Sequence, residues 1–312
     1  MSVRVIVLGI ARSAPWLCCK RIAMSAAETR RTATLLIKCP DRRGLVRDIA
    51  DFIARYGGNI LHADHHVDSE SKQFFSRVEW DLRGFTLSAA EISSSFHLIA
   101  EHHAMDWEVR FSDKEPAVAI FVSRLDHCLV DLLHRWEVGE LRGRVAAVVS
   151  NHPDLRRTVE RHAIPYYHFP ITPQNKRRQE AEETKLLHSL QVDLLILARY
   201  MQILSDEFVG YYPNRIINIH HSFLPAFIGS SPYARAYERG VKLIGATSHY
   251  VTTIPGAGPI IDQDVARVTH RDSLTDLIRK GRDLERLVLA RGVRLHLERR
   301  VLLYANKTVV FD

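Results

Sequence analysis

Between residues 117 and 220 the chain alternates short, unbroken apolar runs with helical patterns, and no other feature restricts its fold as strongly. The runs are AVAIFVS (117–123), RVAAVVS (144–150), PYYHFPI (165–171), LLILARY (194–200) and IINIH (216–220). Helical spacing separates the first four, over 128–139, 153–163 and 174–191. Strands with no polar alternation are covered on both faces, and intervening helices make them parallel. A mainly parallel α/β sheet is therefore expected over 117–312. Ligands of such sheets bind beyond the carboxyl ends of the strands.

Ahead of that unit the pattern changes. TATLLIKC reads as a strand, PDRRG as a turn, and Leu45, Ile49, Phe52, Ile53 and Tyr56 form one helical stripe closed by Gly57-Gly58. Two strands follow around the polar turn SESK, then a helix opened by the capping box SAAE (88–91), then the strand DWEVRF (106–111). The order βαββαβ is a ferredoxin-like unit over 32–112. It joins the second unit through the polar segment SDKEP. Farther on, a long helix from Ser273 and a hairpin turning at Asn306 and Lys307 complete the chain.

The formal charge of +7 suggests nucleic acid until its distribution is considered. Arg4, Arg12, Lys20, Arg21, Arg30 and Arg31 face only Glu28 in residues 1–31, which supply +5 of the +7. The rest is close to neutral, so neither a nucleic-acid nor a membrane partner is expected. Residues 1–27 read either as a transit peptide or as the product of a start codon assigned too early, with Met24 opening the protein. No apolar run approaches the roughly 18 residues that span a bilayer. Four cysteines without a CxxC pair fit a reducing compartment. The cytoplasm is expected, or the mitochondrion if the leader is a transit peptide.

The last apolar run ends on Asn218-Ile219-His220. Residues two apart on a strand share a face. An amide and an imidazole there can both donate to one developing oxyanion, or can simply be strand-end groups satisfied by nearby loops. Their place at the carboxyl end of a parallel strand favours the first reading.

Several segments in one order then carry a resemblance: VSNHPDL (149–155), LARYMQILS (197–205), NRIINIHHSFLPAFIG (214–229), GATSHYV (245–251) and GPIIDQDV (258–265). Together they resemble the formyltetrahydrofolate deformylases, and the likeness spans about residues 33–312. With DRRGLV and GGNI, the first unit is similar to an ACT domain. The resemblance implies hydrolysis of 10-formyltetrahydrofolate to tetrahydrofolate and formate, with no cofactor. It implies catalytic Asn218 and a protonated His220 flanking the formyl group. It also implies a pterin pocket along Arg199, Tyr200, Met201, Gln202, Ile203 and Leu204, with Met201, Ile203 and Leu204 lining it. Relatives that formylate a nucleotide amine carry a glycine-rich phosphate turn after the first strand. Here that turn, SRLDHCLVD (123–131), has no glycine, which leaves water as the acceptor.

One position departs from the family. Its acidic loop ends Leu-Asp-x-Gly-Pro, whereas this chain reads HYVTTIPGAGP (249–259), with Gly256 at the place of the Asp. Losing an acid/base partner costs about 10²–10⁴ in rate. Three accounts stay open: a weak or inactive folate-binding relative, replacement by Asp262 or Asp264, or a local sequence error. The ACT resemblance further implies a homo-oligomer with an amino-acid effector near Asp41, Gly44 and Asn59. Finally, His62, Asp64 and His66 in HADHH share a strand face. A ligand set confined to one strand is uncommon, so no metal site is expected.

Overall fold

The computed structural model describes residues 30–225 and 232–312; the leader 1–29, with Met24, and residues 226–231 lie outside it. The first unit runs β1 (Thr32–Pro40), α1 (Leu45–Arg55), β2 (Asn59–Asp68), β3 (Gln73–Asp81), α2 (Ala89–His103) and β4 (Asp106–Phe111). Its sheet has the order β2-β3-β1-β4, antiparallel throughout. Alternation along β1 decides what each face buries. Ala33, Leu35, Ile37 and Cys39 enter a core with Ile49, Phe52 and Phe96 of the two helices, while Leu36 points the other way. Ser88 and Glu91 make the expected capping box at the start of α2.

The second unit continues with β5 (Ala117–Val122), α3 (His127–Glu137), β6 (Arg144–Ser150), α4 (Arg156–Glu160), β7 (Tyr166–His168), α5 (Lys176–Ser189) and β8 (Leu194–Leu197). Then come α6 (Asp206–Tyr211), β9 (Ile216–His220), α7 (Pro232–Arg239), β10 (Leu243–Tyr250), β11 (Ile260–Arg267), α8 (Leu274–Leu297), β12 (Val301–Tyr304) and β13 (Lys307–Val310). The large sheet has the order β11-β10-β9-β8-β5-β6-β7. β5 to β9 are parallel, while β10 and β11 add an antiparallel edge.

Two strands are shorter than the apolar runs implied. β7 stops at His168 ahead of Pro170, which has no N–H to give a ladder. β8 stops at Leu197 because Arg199 turns to a φ of 62°, a left-handed conformation that no strand continues.

α8 closes one face of the sheet over β9, β10 and β11. It packs very close: a Cβ at Gly292 would lie 2.2 Å from Ser248 Oγ. At its C-terminal end, buried Arg77 of β3 donates to the carbonyls of Arg299 (3.0 Å) and Glu298 (3.2 Å). The β12–β13 hairpin then returns to the first sheet. Phe311 packs on Leu36 and Phe75, and the Tyr304 hydroxyl donates to Asp68 at 2.8 Å. Both faces of the first sheet are thus used, one by its own helices and one by the end of the chain.

Candidate active site

β9 is buried at Ile216, Ile217 and Ile219 and comes partly to the surface at Asn218 and His220. β10 sets His249 opposite Asn218 and Thr247 opposite His220. Directly opposed residues of a ladder point to the same face. Four polar side chains therefore share one face at the end of β9. His249 was not among the residues singled out in the sequence, because only the pairing register reveals it.

His249 Nδ1 lies 2.9 Å from the Tyr250 carbonyl, an acceptor only, so Nδ1 carries the hydrogen. Nε2 is left as an acceptor and takes a hydrogen from the Asn218 amide at 3.2 Å. Burial pushes the His249 pKa down, which keeps this neutral tautomer. The contact fixes the orientation of Asn218 and leaves its second N–H free to meet a ligand.

His220 Nε2 is buried and finds no hydrogen-bond partner among the described residues. Burial first, then His249 and the Arg199 charge, push its pKa down to about 4. The expectation of a protonated His220 is corrected here: at neutral pH the ring is uncharged. An uncharged ring can accept a proton but brings no positive charge of its own.

The loop after β9 is locked from the same face. Thr247 Oγ1 accepts from the Leu224 N–H (3.1 Å) and from Gln263 Nε2 (2.9 Å), and donates to the Ser222 carbonyl (2.9 Å). Asp262 and Asp264 stand on the opposite face. They pair with Ser248 and Ala246, and both bind Arg291 of α8, at 2.7 and 2.9 Å. Replacement of the family's Asp by either residue is therefore not supported by the register. Gly256 has a φ of 71°, and Leu224 Cδ2, at 3.9 Å, is the nearest atom to a Cβ built there.

The 199–204 segment joins three strand ends. The Ser123 N–H donates to the Arg199 carbonyl (3.3 Å), Met201 N–H donates to Ser123 Oγ (2.9 Å), and Ser123 Oγ donates to Asn151 Oδ1 (2.7 Å). Tyr200 and Leu204 turn inward to the core, while Met201 and Ile203 are 58% and 69% exposed. Gln202 is half-buried between them. Two outward apolar side chains next to a polar strand end suit a flat heterocycle. Leu204 packs in the core cluster beneath them.

The Arg199 side chain turns into the protein interior. It is largely buried, 3.4 Å from Glu285 of α8. Glu285 Oε2 also meets His127 Nε2 at 2.7 Å, and Oε1 accepts from the Tyr233 hydroxyl at 2.7 Å. Burial would raise the Glu285 pKa, but these three partners hold it below its ordinary value. With Cys128, His127 and Glu285 bring ligand atoms within 4.8 Å of one another, the one such group among the described residues. Arg199 and the Tyr233 hydroxyl share the Glu285 carboxylate with His127, so the group forms a buried ion-pair cluster.

In the first unit, His65 Nδ1 is engaged by Ser76 Oγ at 2.9 Å and His66 stacks on Phe75, and HADHH forms no ligand-spaced group. Gly44 precedes α1 with a φ of 95°, and the Asp41 N–H donates to the Lys72 carbonyl. Asn59 pairs with Asp81 at the other end of the sheet, so one chain does not bring it to Asp41 and Gly44.

Comparison with known proteins agrees with this architecture. The Formyl transferase family model matches residues 117–293, and the ACT domain model matches residues 33–95. A formyltetrahydrofolate deformylase of Synechocystis sp. is 55% identical over 280 residues, covering 90% of this chain and 98% of that protein. One from Bacillus subtilis is 47% identical over 89% of this chain and 93% of its own length. The crystal structure of a formyltetrahydrofolate deformylase from Pseudomonas syringae pv. tomato superposes with a TM-score of 0.89 at 50% identity. It covers 92% of this chain and 96% of that one.

Proposed function

The chain belongs to the formyltetrahydrofolate deformylase family, and from that premise we infer that Asn218 and His220 carry the reaction. The enzyme hydrolyses 10-formyltetrahydrofolate to tetrahydrofolate and formate. Its kinship weighs against a folate-binding protein without turnover. The observation that carries the site assignment is the unpartnered, buried His220 Nε2 beside an Asn218 amide already oriented by His249.

Water adds to the formyl carbon while His220 Nε2 takes one of its protons. The free Asn218 N–H donates to the oxygen that becomes negative. Collapse of the tetrahedral intermediate breaks the bond to N10. His220 returns its proton to that nitrogen, and formate leaves. Met201 and Ile203 supply the apolar surface for the pterin, and the backbone of 199–204 reads its edge. The reaction so written needs neither metal nor cofactor. Water as acceptor is supported by the 123–131 turn, which has no glycine to let backbone N–H groups cradle a phosphate.

Formate release without any amine present, measured with tetrahydrofolate absorbance, tests the reading. His220→Ala and Asn218→Ala should each lower kcat by about 10² or more, the cost of a lost oxyanion or proton partner. An unchanged rate in either variant removes that residue from the mechanism.

We propose a homo-oligomer paired along β2, a ten-residue edge strand of mostly exposed residues. An amino-acid effector is placed at the Asp41–Gly44 turn, with Asn59 outside that site within one chain. Free, buried Cys39 and Cys128 support a reducing compartment such as the cytoplasm. No described helix is long and apolar enough to cross a membrane. An effector at about 100 times its Kd adds roughly 2.7 kcal/mol of stability, visible as a thermal shift. Flat melting curves with every amino acid would leave assembly as the domain's role, and light scattering measures that.

A further inference from the structure

Glu285 lies in the middle of α8 and is 1% exposed. Burying a carboxylate is costly unless it is paired, and removing one member of a buried pair leaves the other uncompensated. Here the partners come from three other elements. His127 opens α3, Tyr233 lies in α7, and Arg199 begins the segment after β8. The Tyr233 placement is exacting. A Cβ at Gly281 would lie 2.1 Å from Tyr233 Cζ, so the ring rests directly on α8 one turn before Glu285. Arg199, in a left-handed backbone conformation, accepts through its carbonyl from Ser123, and its buried Nε lies 3.4 Å from Glu285, an ion pair without a hydrogen bond. A non-glycine residue in that conformation is strained unless its surroundings fix it.

We propose that Glu285 is a positioning residue for the reaction, acting through Arg199. By holding the buried guanidinium it fixes the left-handed turn from which Met201 and Ile203 project, and so sets how the folate lies against Asn218 and His220. Through Tyr233 the same carboxylate anchors the element behind His221, whose ring lies 6.2 Å from the tyrosine ring. One buried charge thereby ties the segment that holds the pterin to the segment that follows the catalytic strand. The proposal rests on the deformylase reading and adds a specific determinant of substrate affinity to it.

Glu285→Gln keeps the length of the side chain and an acceptor for Tyr233 but removes the charge. It should raise KM for 10-formyltetrahydrofolate about tenfold while kcat changes less than about threefold, because the turn holds the substrate and not the reacting atoms. Arg199→Met should raise KM similarly. Adding Glu285→Gln to Arg199→Met should then raise KM less than about threefold further, since the two act as one unit. Binding of 5-formyltetrahydrofolate, followed by calorimetry, should weaken in parallel. KM within twofold of the parent in Glu285→Gln, or fully additive effects in the double variant, overturns the proposal. Should Glu285→Gln fail to fold, the double variant, which removes both buried charges together, decides: a parental KM there refutes it. A parent enzyme releasing no formate would instead refute the deformylase reading, so the two failures are distinguishable.

Discussion

Restoring a carboxylate at residue 256 separates the roles of base and binding pocket. The structure offers room for it: the nearest atom to an added Cβ is Leu224 Cδ2, at an ordinary 3.9 Å. The cost is in the backbone, where the φ of 71° is left-handed. Asp tolerates that region better than most residues, so Gly256→Asp should cost about 1 kcal/mol, and lower Tm by about 2–4 °C. The chemical gain should exceed the structural loss. No acid lies between Glu238 and Asp262 in the sequence, and Asp262 and Asp264 are held on the far face by Arg291. With the new carboxylate beside the water at His220, kcat should rise at least tenfold, toward the roughly 10²–10⁴ of an acid/base partner.

The pH profile gives a second, independent readout. His220 must be neutral to accept a proton, and burial has pushed its pKa down to about 4. Activity of the parent, read as kcat/KM, should therefore hold down to about pH 5 and fall as the pH drops through about 4. A carboxylate close by favours the imidazolium, so in Gly256→Asp that acidic limb should move upward. Formate release measured from about pH 3 to 9 tests both. A folded variant with unchanged kcat and an unmoved limb would show that residue 256 does not face the reacting water. A parental limb near the ordinary imidazole range would refute the buried, neutral His220.

Three further outcomes follow from buried groups. His249→Phe removes the acceptor that orients Asn218, and should lower kcat about tenfold with little change in folate binding; equal loss of both would make His249 structural. Burial, with the charge of Glu180 adding, raises the Glu183 pKa to about 8. Its native form therefore keeps a proton that the unfolded chain gives up near the ordinary carboxylate range, and stability should fall as pH rises from about 4.5 to 8. Glu183→Gln should flatten that slope by a few kcal/mol in chemical denaturation, about 1.4 per pH unit, and an unaltered slope would place the titration elsewhere. Arg77→Ala leaves the Glu298 and Arg299 carbonyls without their donor and should cost about 2–4 kcal/mol, measured by urea unfolding; a loss under 0.5 would mean the cap is not used.

What the sequence disclosed and what it concealed follow from the range of the interactions involved. Strand and helix order was legible because apolar periodicity is local, and Asn218 and His220 were legible because they interrupt a buried run at its carboxyl end. His249 was not, since its partnership with Asn218 exists only in an antiparallel ladder whose register no local pattern specifies. The same register decides that Asp262 and Asp264 face α8, although their distance along the chain made them natural replacements for a missing acid. Arg199 was drawn from the sequence only as part of the 199–204 run, and nothing in the local pattern says where its side chain goes. Glu285, in another element altogether, determines where that guanidinium goes.

The end of the chain adds a connection that neither unit contains alone. Asn306, in the turn of the C-terminal hairpin, donates to the Ala257 carbonyl at 2.8 Å, next to Gly256, and Thr308 Oγ1 donates to the Ile260 carbonyl at 2.6 Å. The same hairpin packs Phe311 on Leu36 and Phe75 and ties Tyr304 to Asp68, all in the first sheet. A short, hydrogen-bonded ribbon thus connects that sheet to the loop that bears Gly256. Arg77 makes a second link, from β3 to the end of the helix that carries Glu285. Coupling between distant sites requires an element whose placement both sites bias. The hairpin and α8 each touch the first sheet at one end and the candidate site at the other, so that sheet has two physical connections to the candidate site. They are separable: one ends at the 251–259 loop and bears on turnover, the other ends at Arg199 and bears on folate affinity.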